Sequence, residues 1–384
     1  MKQCFLGVAA CIMSSILLAA TPPPTGFRAG AATSNITPAL GEAVIGGFLS
    51  FPSTNVHDEL HARCLVLDDG KTKLALVVLD LLGIDAGTSI EARKLIEKET
   101  GIPPANVLIS AVHTHSASSA AGDTRIPSGP QFESYHSFVV RRIADGVRCA
   151  VNRLRPAQLA YTSVEAPEHV FNRRWFLKPG TMPPNPFGGI DQVKMNPRAG
   201  SPDLVKPAGP TDPTVSILAM REPDGRPIAV FSAYSLHYVG GVGPGDISAD
   251  YYGMYCQRLE RLLHGDEQDP PMVALMANGT SGDVNNINFV HPRPAKKPYE
   301  QMRFVANDLA AKVQAALAKV EYQDRVTLAA RYREPMIVRH QPTARHYELG
   351  GYETWLGSSA FEPHASEKML DTLLEMVAEV RDAK

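Results

Sequence analysis

Little in this sequence serves cross-linking. Among its 384 residues are five cysteines, and two of them, Cys4 and Cys11, fall in an N-terminal targeting stretch. The remaining Cys64, Cys149 and Cys256 are odd in number and far apart. That pattern is neither a disulfide framework nor a CxxC metal knuckle. Each stands beside apolar residues, which predicts three buried small side chains. Charge of one sign is also lacking: 38 Lys+Arg stand against 40 Asp+Glu, a net charge of −2. Nucleic-acid binding needs a basic stripe, so that class is excluded. Past the N-terminus no stretch approaches the roughly 18 uninterrupted apolar residues of a spanning helix, so the mature chain is expected to be soluble. Internal repeats and charge runs are absent too. What is present suits a globular chain: 44% hydrophobic and 20% charged residues allow a real core and exclude global disorder.

The N-terminus reads as a secretory signal. Lys2 precedes an apolar run from Phe5 to Ala20, and Leu18-Ala19-Ala20 supplies the small residues of a cleavage site. Residues 1–20 are therefore expected to leave, with Ala29-Gly30-Ala31 as a second candidate site and a secreted or periplasmic product. The run is short for a membrane anchor.

Short apolar runs alternate with helical patterns. Strands are predicted at Lys73–Asp80, Asn106–Val112, Gln158–Val164, Thr214–Met220, Arg226–Ser235, Met272–Ala277 and Arg325–Arg333. Helices are predicted at Thr88–Thr100, Gln131–Leu154, Ala249–His264, Tyr299–Val320 and His364–Arg381. The turn Glu222-Pro-Asp-Gly225 joins two strands into a hairpin. The expected fold is α/β, a mixed β-sheet flanked by helices. Leu177–Pro213, rich in proline and without periodicity, reads as a long wrapping loop.

The chemistry gathers past the carboxyl ends of predicted strands. His113 and His115, in Ala111-Val-His-Thr-His115-Ser116, stand two apart, so a strand extension would face both to one side. His237 follows the Arg226–Ser235 strand, and the Gly-rich run Asn278–Asn286 with Asp283 follows Met272–Ala277. Ligands bind at that edge of open α/β sheets. Three histidines with an open position suit catalytic zinc, with Asp283 as a ligand or an orienting partner. Taken alone, His113 and His115 could be a chance pair in a polar loop, Asp283 a turn residue, and Arg173 and Arg174 solvated charges.

As a set, the segments Ala29–Pro38, His61–Gly70, Leu108–Ser116, Phe171-Asn-Arg173, Ile247-Ser-Ala-Asp-Tyr251 and Gly282-Asp-Val284 resemble the N-terminal domain of the neutral/alkaline, non-lysosomal ceramidases. The resemblance implies a zinc-dependent amidase cutting the N-acyl bond of a lipid such as ceramide, on a mixed-sheet α/β domain over residues 27–384, with secretion or membrane-surface work. It implies His113 and His237 as zinc ligands and His115 as the proton-handling neighbour. By the same resemblance Arg173 grips substrate or oxyanion, and Tyr352 is the tyrosine of the family's Tyr-Glu segment.

Two departures stand out. Asn285 occupies the place of the family's serine, and an amide cannot be activated as a nucleophile; metal-activated water needs no serine. The family's Gly-Glu segment, source of a further zinc ligand, finds no counterpart near residues 333–350, which reads as an internal deletion with His340 the nearest candidate donor. The family's immunoglobulin-like domain finds no counterpart either. The leading expectation is a zinc hydrolase of an N-acyl bond with zinc more weakly held than in the family. The rivals are a non-catalytic domain binding a lipid or glycan, and another metallohydrolase, such as a phosphoesterase, on the same scaffold.

Overall fold

The computed structural model of the chain describes residues 26–46, 49–120, 130–185 and 188–329. The expected signal, His340, Tyr352, the expected deletion and the helix His364–Arg381 lie outside the described residues. No helix among the described residues is long and apolar enough to cross a membrane.

The strands form two principal sheets rather than one. The first has five strands in the order Val107–Ala111, Lys73–Leu79, His61–Asp68, Arg28–Asn35, Arg155–Pro156. Its first pair is parallel and the others antiparallel. The second runs Val273–Asn278, Pro227–Tyr234, Thr214–Arg221, Gln158–Glu165, with only the first pair parallel. The mixed α/β fold is thus as expected, including the hairpin closed at Glu222–Gly225, where Gly225 takes φ 96°.

Alternation along the first sheet explains its two buried faces. Ala62, Cys64 and Val66 pack with the helices Ala86–Thr100 and Pro130–Asn152. Ala29, Ala31, Leu65 and Leu67 share a core with Ile217, Ala229 and Leu275 of the second sheet and with the helices Asp250–Leu262 and Glu300–Leu317. The helix Ala86–Thr100 ends where Gly101 adopts the left-handed conformation at φ 72° and donates to Glu97 O.

Three expectations change. Leu177–Pro213 is not irregular throughout, since Arg174–Leu177 pairs with Lys194–Met195 and Leu204–Pro207 in a small sheet. Short strands escape a periodicity test because two to four residues carry no pattern. Residues 325–329 form no strand. Cys64 and Cys256 are buried, but Cys149 is exposed, on the outer side of its helix.

Candidate metal centre

The carboxyl ends of strands from both sheets converge. Val107–Ala111 delivers His113, Pro227–Tyr234 delivers His237, and Val273–Asn278 delivers the loop that carries Ser281. His113 does not simply extend its strand. Its φ of 68° lies in the left-handed region, where a residue with a Cβ is strained. The pairing of His113 with His115 therefore comes from a turn held by tertiary contacts, not from strand alternation.

Two of the imidazoles are fixed by backbone carbonyls. His113 Nδ1 lies 2.8 Å from Leu82 O, and His237 Nδ1 lies 3.0 Å from Ser281 O. A carbonyl can only accept, so both Nδ1 atoms carry a proton, and each ring in its neutral form presents a lone pair at Nε2. Those lone pairs face a third nitrogen: His115 Nε2 is 3.2 Å from His113 Nε2 and 3.3 Å from His237 Nε2. Three such atoms cannot all approach without a shared proton or cation between them. Two nitrogens on one tetrahedral zinc, with bonds of about 2.0–2.1 Å, stand about 3.3 Å apart. The donor set therefore fits zinc in type and in spacing.

A brace that the sequence reading left without a role positions these rings. Asp250 is fully buried at φ 57°, and its carboxylate accepts from the N–H groups of Val239 and Gly240 at 2.9 Å and of Tyr251 at 2.6 Å. Burial pushes this carboxyl up to about 6, although the three N–H donors pull it down. The hydroxyls of Tyr251 and Tyr252 both donate to Leu236 O at 3.0 Å, immediately before His237. On the other side, Ser248 O accepts from Thr114 Oγ1 at 2.9 Å, and Ser248 N donates to Ser116 O at 2.8 Å. Asp58 holds this element through Ser248 Oγ at 2.6 Å and Ala249 N at 2.7 Å. Ile247–Tyr251 thus ties the loops of His115 and His237 together. Its signal in the sequence was the matched segment itself, to which no chemistry could be attached.

Tyr238 lies flat on His115, with ring centroids 3.7 Å apart and planes 14° apart. Burial raises the Tyr238 phenol while the Arg173 charge pulls it down. Arg173 is buried; its Nε and Nη2 donate to Gly282 O at 3.1 and 2.6 Å. Arg174 is buried too, so neither is the solvated charge of the bland alternative. Asp283 accepts from Asn172 Nδ2 at 2.9 Å, and its carbonyl accepts from Arg173 N at 2.7 Å. Asn285 lies on the short strand Val284–Asn285, paired with Phe171–Asn172, and its amide meets Asn196 at 3.5 Å and Ile287 N at 3.1 Å. The structure thus gathers His113, His115 and His237 around one point. It sets Arg173, Asp283 and Asn285 along the loop behind His237.

A second group of donors, Glu168, His169 and Asp308, also clusters. There the Lys312 ammonium sits 2.6 Å from Glu168 Oε1 and 3.8 Å from Asp308 Oδ2, so a side-chain cation already balances the carboxylates.

Residues 27–297 match the family model described as neutral/alkaline non-lysosomal ceramidase, N-terminal. Among solved structures, the chain is similar to the neutral ceramidase from Pseudomonas aeruginosa, with TM-score 0.60 and 21% identity over 77% of this chain and 45% of that one. A ceramidase complexed with C2 gives TM-score 0.59 and 19% identity over 77% of this chain and 44% of that one. The chain spans less than half the length of these two ceramidases, and at such identities the likeness shows the fold. The family match covers well over half of the sequence, and on that ground the chain belongs to the neutral/alkaline non-lysosomal ceramidase family.

Proposed function

We propose that this chain is a zinc-dependent hydrolase of an N-acyl amide bond, with His113, His115 and His237 as the three nitrogen donors. The observation that carries the reading is the convergence of three imidazole Nε2 atoms at 3.2 and 3.3 Å, two of the rings held at Nδ1 by backbone carbonyls. Zinc held there supplies a Lewis acid and lowers the pKa of water to near neutrality. The reaction adds water to the carbonyl carbon and breaks the C–N bond, giving a carboxylate and an amine. His115, expected from the resemblance to handle protons, is read as the third donor, because its Nε2 lies 3.2 and 3.3 Å from those of His113 and His237. Arg173 stiffens the loop that orients His237, and its charge favours negative charge near Tyr238. Asn285 stands where the family has a serine, so the nucleophile is water and ceramide itself is a poor substrate.

The test is metal analysis of the purified protein beside hydrolysis of a panel of N-acyl amides. One zinc per chain and turnover that chelation abolishes and zinc restores are expected. Bound zinc without turnover of any amide supports the binding-domain alternative instead. Turnover of phosphoesters but not amides supports the other metallohydrolase.

A further inference from the structure

Beside the His237 loop lies a cavity of about 310 Å³ whose wall includes Gly240, Arg293, Lys296, Lys297, Tyr299 and Gln301. It is within the usual size range of small-molecule pockets. Val239, Gly240 and Gly241 of its wall directly follow Tyr238, whose ring stacks on His115. No aspartate or glutamate lines the cavity. Glu300, the nearest in sequence, turns its carboxylate to accept from Lys297 N at 2.9 Å. The Lys296 ammonium lies 4.1 Å above the Phe304 ring, and Lys296 and Lys297 are both exposed. Arg293 donates through Nη2 to Glu168 O, while its Nη1 and the Nε2 of Gln301 are buried without an acceptor. The 18-residue helix Glu300–Leu317 also begins at this wall, adding the positive end of its dipole. Three cationic residues and a helix N-terminus thus line one cavity, and the carboxylates nearest its wall are engaged elsewhere, Asp250 by Val239 N and Gly240 N and Asp246 by the Tyr299 hydroxyl.

We infer that the cavity takes an oxyanion carried by the amine half of the substrate. This rests on the amide-hydrolase reading and narrows it: the favoured substrate is an N-acyl compound whose amine half bears a carboxylate, sulfonate or phosphate, not a neutral sphingoid base. Acyl group and anion then lie on opposite sides of the amide, with the anion in the cavity near Lys296 and Lys297. An anion there is favoured because no carboxylate lines the cavity to compete for these cations.

A matched pair of substrates tests this, N-dodecanoylglycine against N-dodecanoylethanolamine, which differ in a carboxylate for a hydroxymethyl. The carboxylate is expected to be favoured in kcat/KM by about tenfold or more. That ratio falls towards one in the double variant Lys296→Ala/Lys297→Ala. It is kept in Lys94→Ala/Lys98→Ala, which removes equal charge from the distant helix Ala86–Thr100. Calorimetric binding of N-dodecanoylglycine provides a readout that needs no turnover. Hydrolysis of both substrates at equal efficiency overturns the anion site and leaves the hydrolase reading standing. Binding of N-dodecanoylglycine that the Lys296/Lys297 variant weakens about tenfold, without hydrolysis of either compound, supports the anion site and overturns the hydrolase reading. Neither binding nor hydrolysis overturns both.

Discussion

His237 and Arg173 grip consecutive carbonyls of one loop, His237 through Nδ1 on Ser281 O at 3.0 Å and Arg173 through Nη2 on Gly282 O at 2.6 Å. The tautomer of a metal-ligating histidine is set by what its other nitrogen donates to. Arg173 therefore acts on His237 through the position of the 281–282 backbone. Arg173→Ala should cost about 1–3 kcal/mol of stability from the lost bonds at a buried carbonyl, and should weaken zinc binding by roughly tenfold. Arg173→Lys, which keeps the charge but not the planar fork, should recover only part of that affinity. Unchanged zinc affinity in Arg173→Ala would confine Arg173 to a role on the substrate.

His115 has two candidate roles, and metal affinity separates them. As a third donor, its removal in His115→Ala lowers zinc affinity by at least about tenfold, comparable to His113→Ala and His237→Ala. As a proton carrier only, His115→Ala retains zinc and loses turnover, with an altered pH profile. The 3.2 and 3.3 Å contacts favour the first outcome. Competition against a chromophoric chelator, run on all three variants, decides it.

Much of this was legible beforehand, for reasons tied to particular residues. The runs at Lys73–Leu79 and Val273–Asn278 are apolar because both faces of each strand are buried, so composition alone exposes them. The Pro-Asp-Gly turn announces its hairpin by local chemistry. His113, His115 and His237 were legible as a set because each follows a strand's carboxyl end. The division into two sheets was not legible, since strand order depends on pairing between distant segments. Nor was the role of Asp250: an aspartate opening a helix reads as an ordinary cap, and only the fold shows it fully buried and gripping the loop after His237.

Asp250→Asn tests that brace. An amide has one acceptor oxygen where the carboxylate has two, so its NH2 would oppose one of the N–H groups of Val239, Gly240 and Tyr251. About 1–3 kcal/mol of stability should be lost, and zinc affinity should fall roughly tenfold as the His237 loop loosens. Loss of stability with unaltered zinc affinity would show that Asp250 supports the fold and not the centre.

The pH dependence of stability has opposing contributions. Burial lowers His61 to about 4, with the nearby Arg63 charge adding to it. A depressed histidine contributes stability that is present above about 6.5 and lost as pH falls through 4. Burial raises Asp80 and Asp250 to about 6 each. Raised carboxyls contribute stability present below about 3.8 and lost as pH rises through 6. The terms have opposite sign over much of the same window, so the total profile is flatter than either. Subtraction isolates the histidine: the stability difference between wild type and His61→Gln should shrink steadily from pH 6.5 to pH 4 in denaturant titrations. A difference constant across that window would show that His61 is not held neutral by the fold.

Gly46 offers the sharpest test of how tightly the centre is packed. A Cβ built there would stand 2.0 Å from the carbonyl oxygen of His115 and 2.7 Å from its Cβ. Neither neighbour is the free end of a flexible side chain, so the His115 backbone itself must move. Nearby, Ile45 N donates to Ala117 O at 3.1 Å, which limits how far the segment can retreat. Relieving a 2.0 Å contact takes a shift of about 1 Å, which spreads the three Nε2 atoms, and metal sites tolerate little of that. Gly46→Ala should therefore weaken zinc binding by roughly tenfold or more while most of the fold survives, with the loss seen in a competitive zinc titration and near-native far-UV circular dichroism. Gly26→Ala, where a Cβ meets nothing within 4 Å, serves as the control and should bind zinc as wild type does. Equal affinity in Gly46→Ala and Gly26→Ala would mean that the position of His115 does not govern the metal, and would return His115 to the role of a proton carrier.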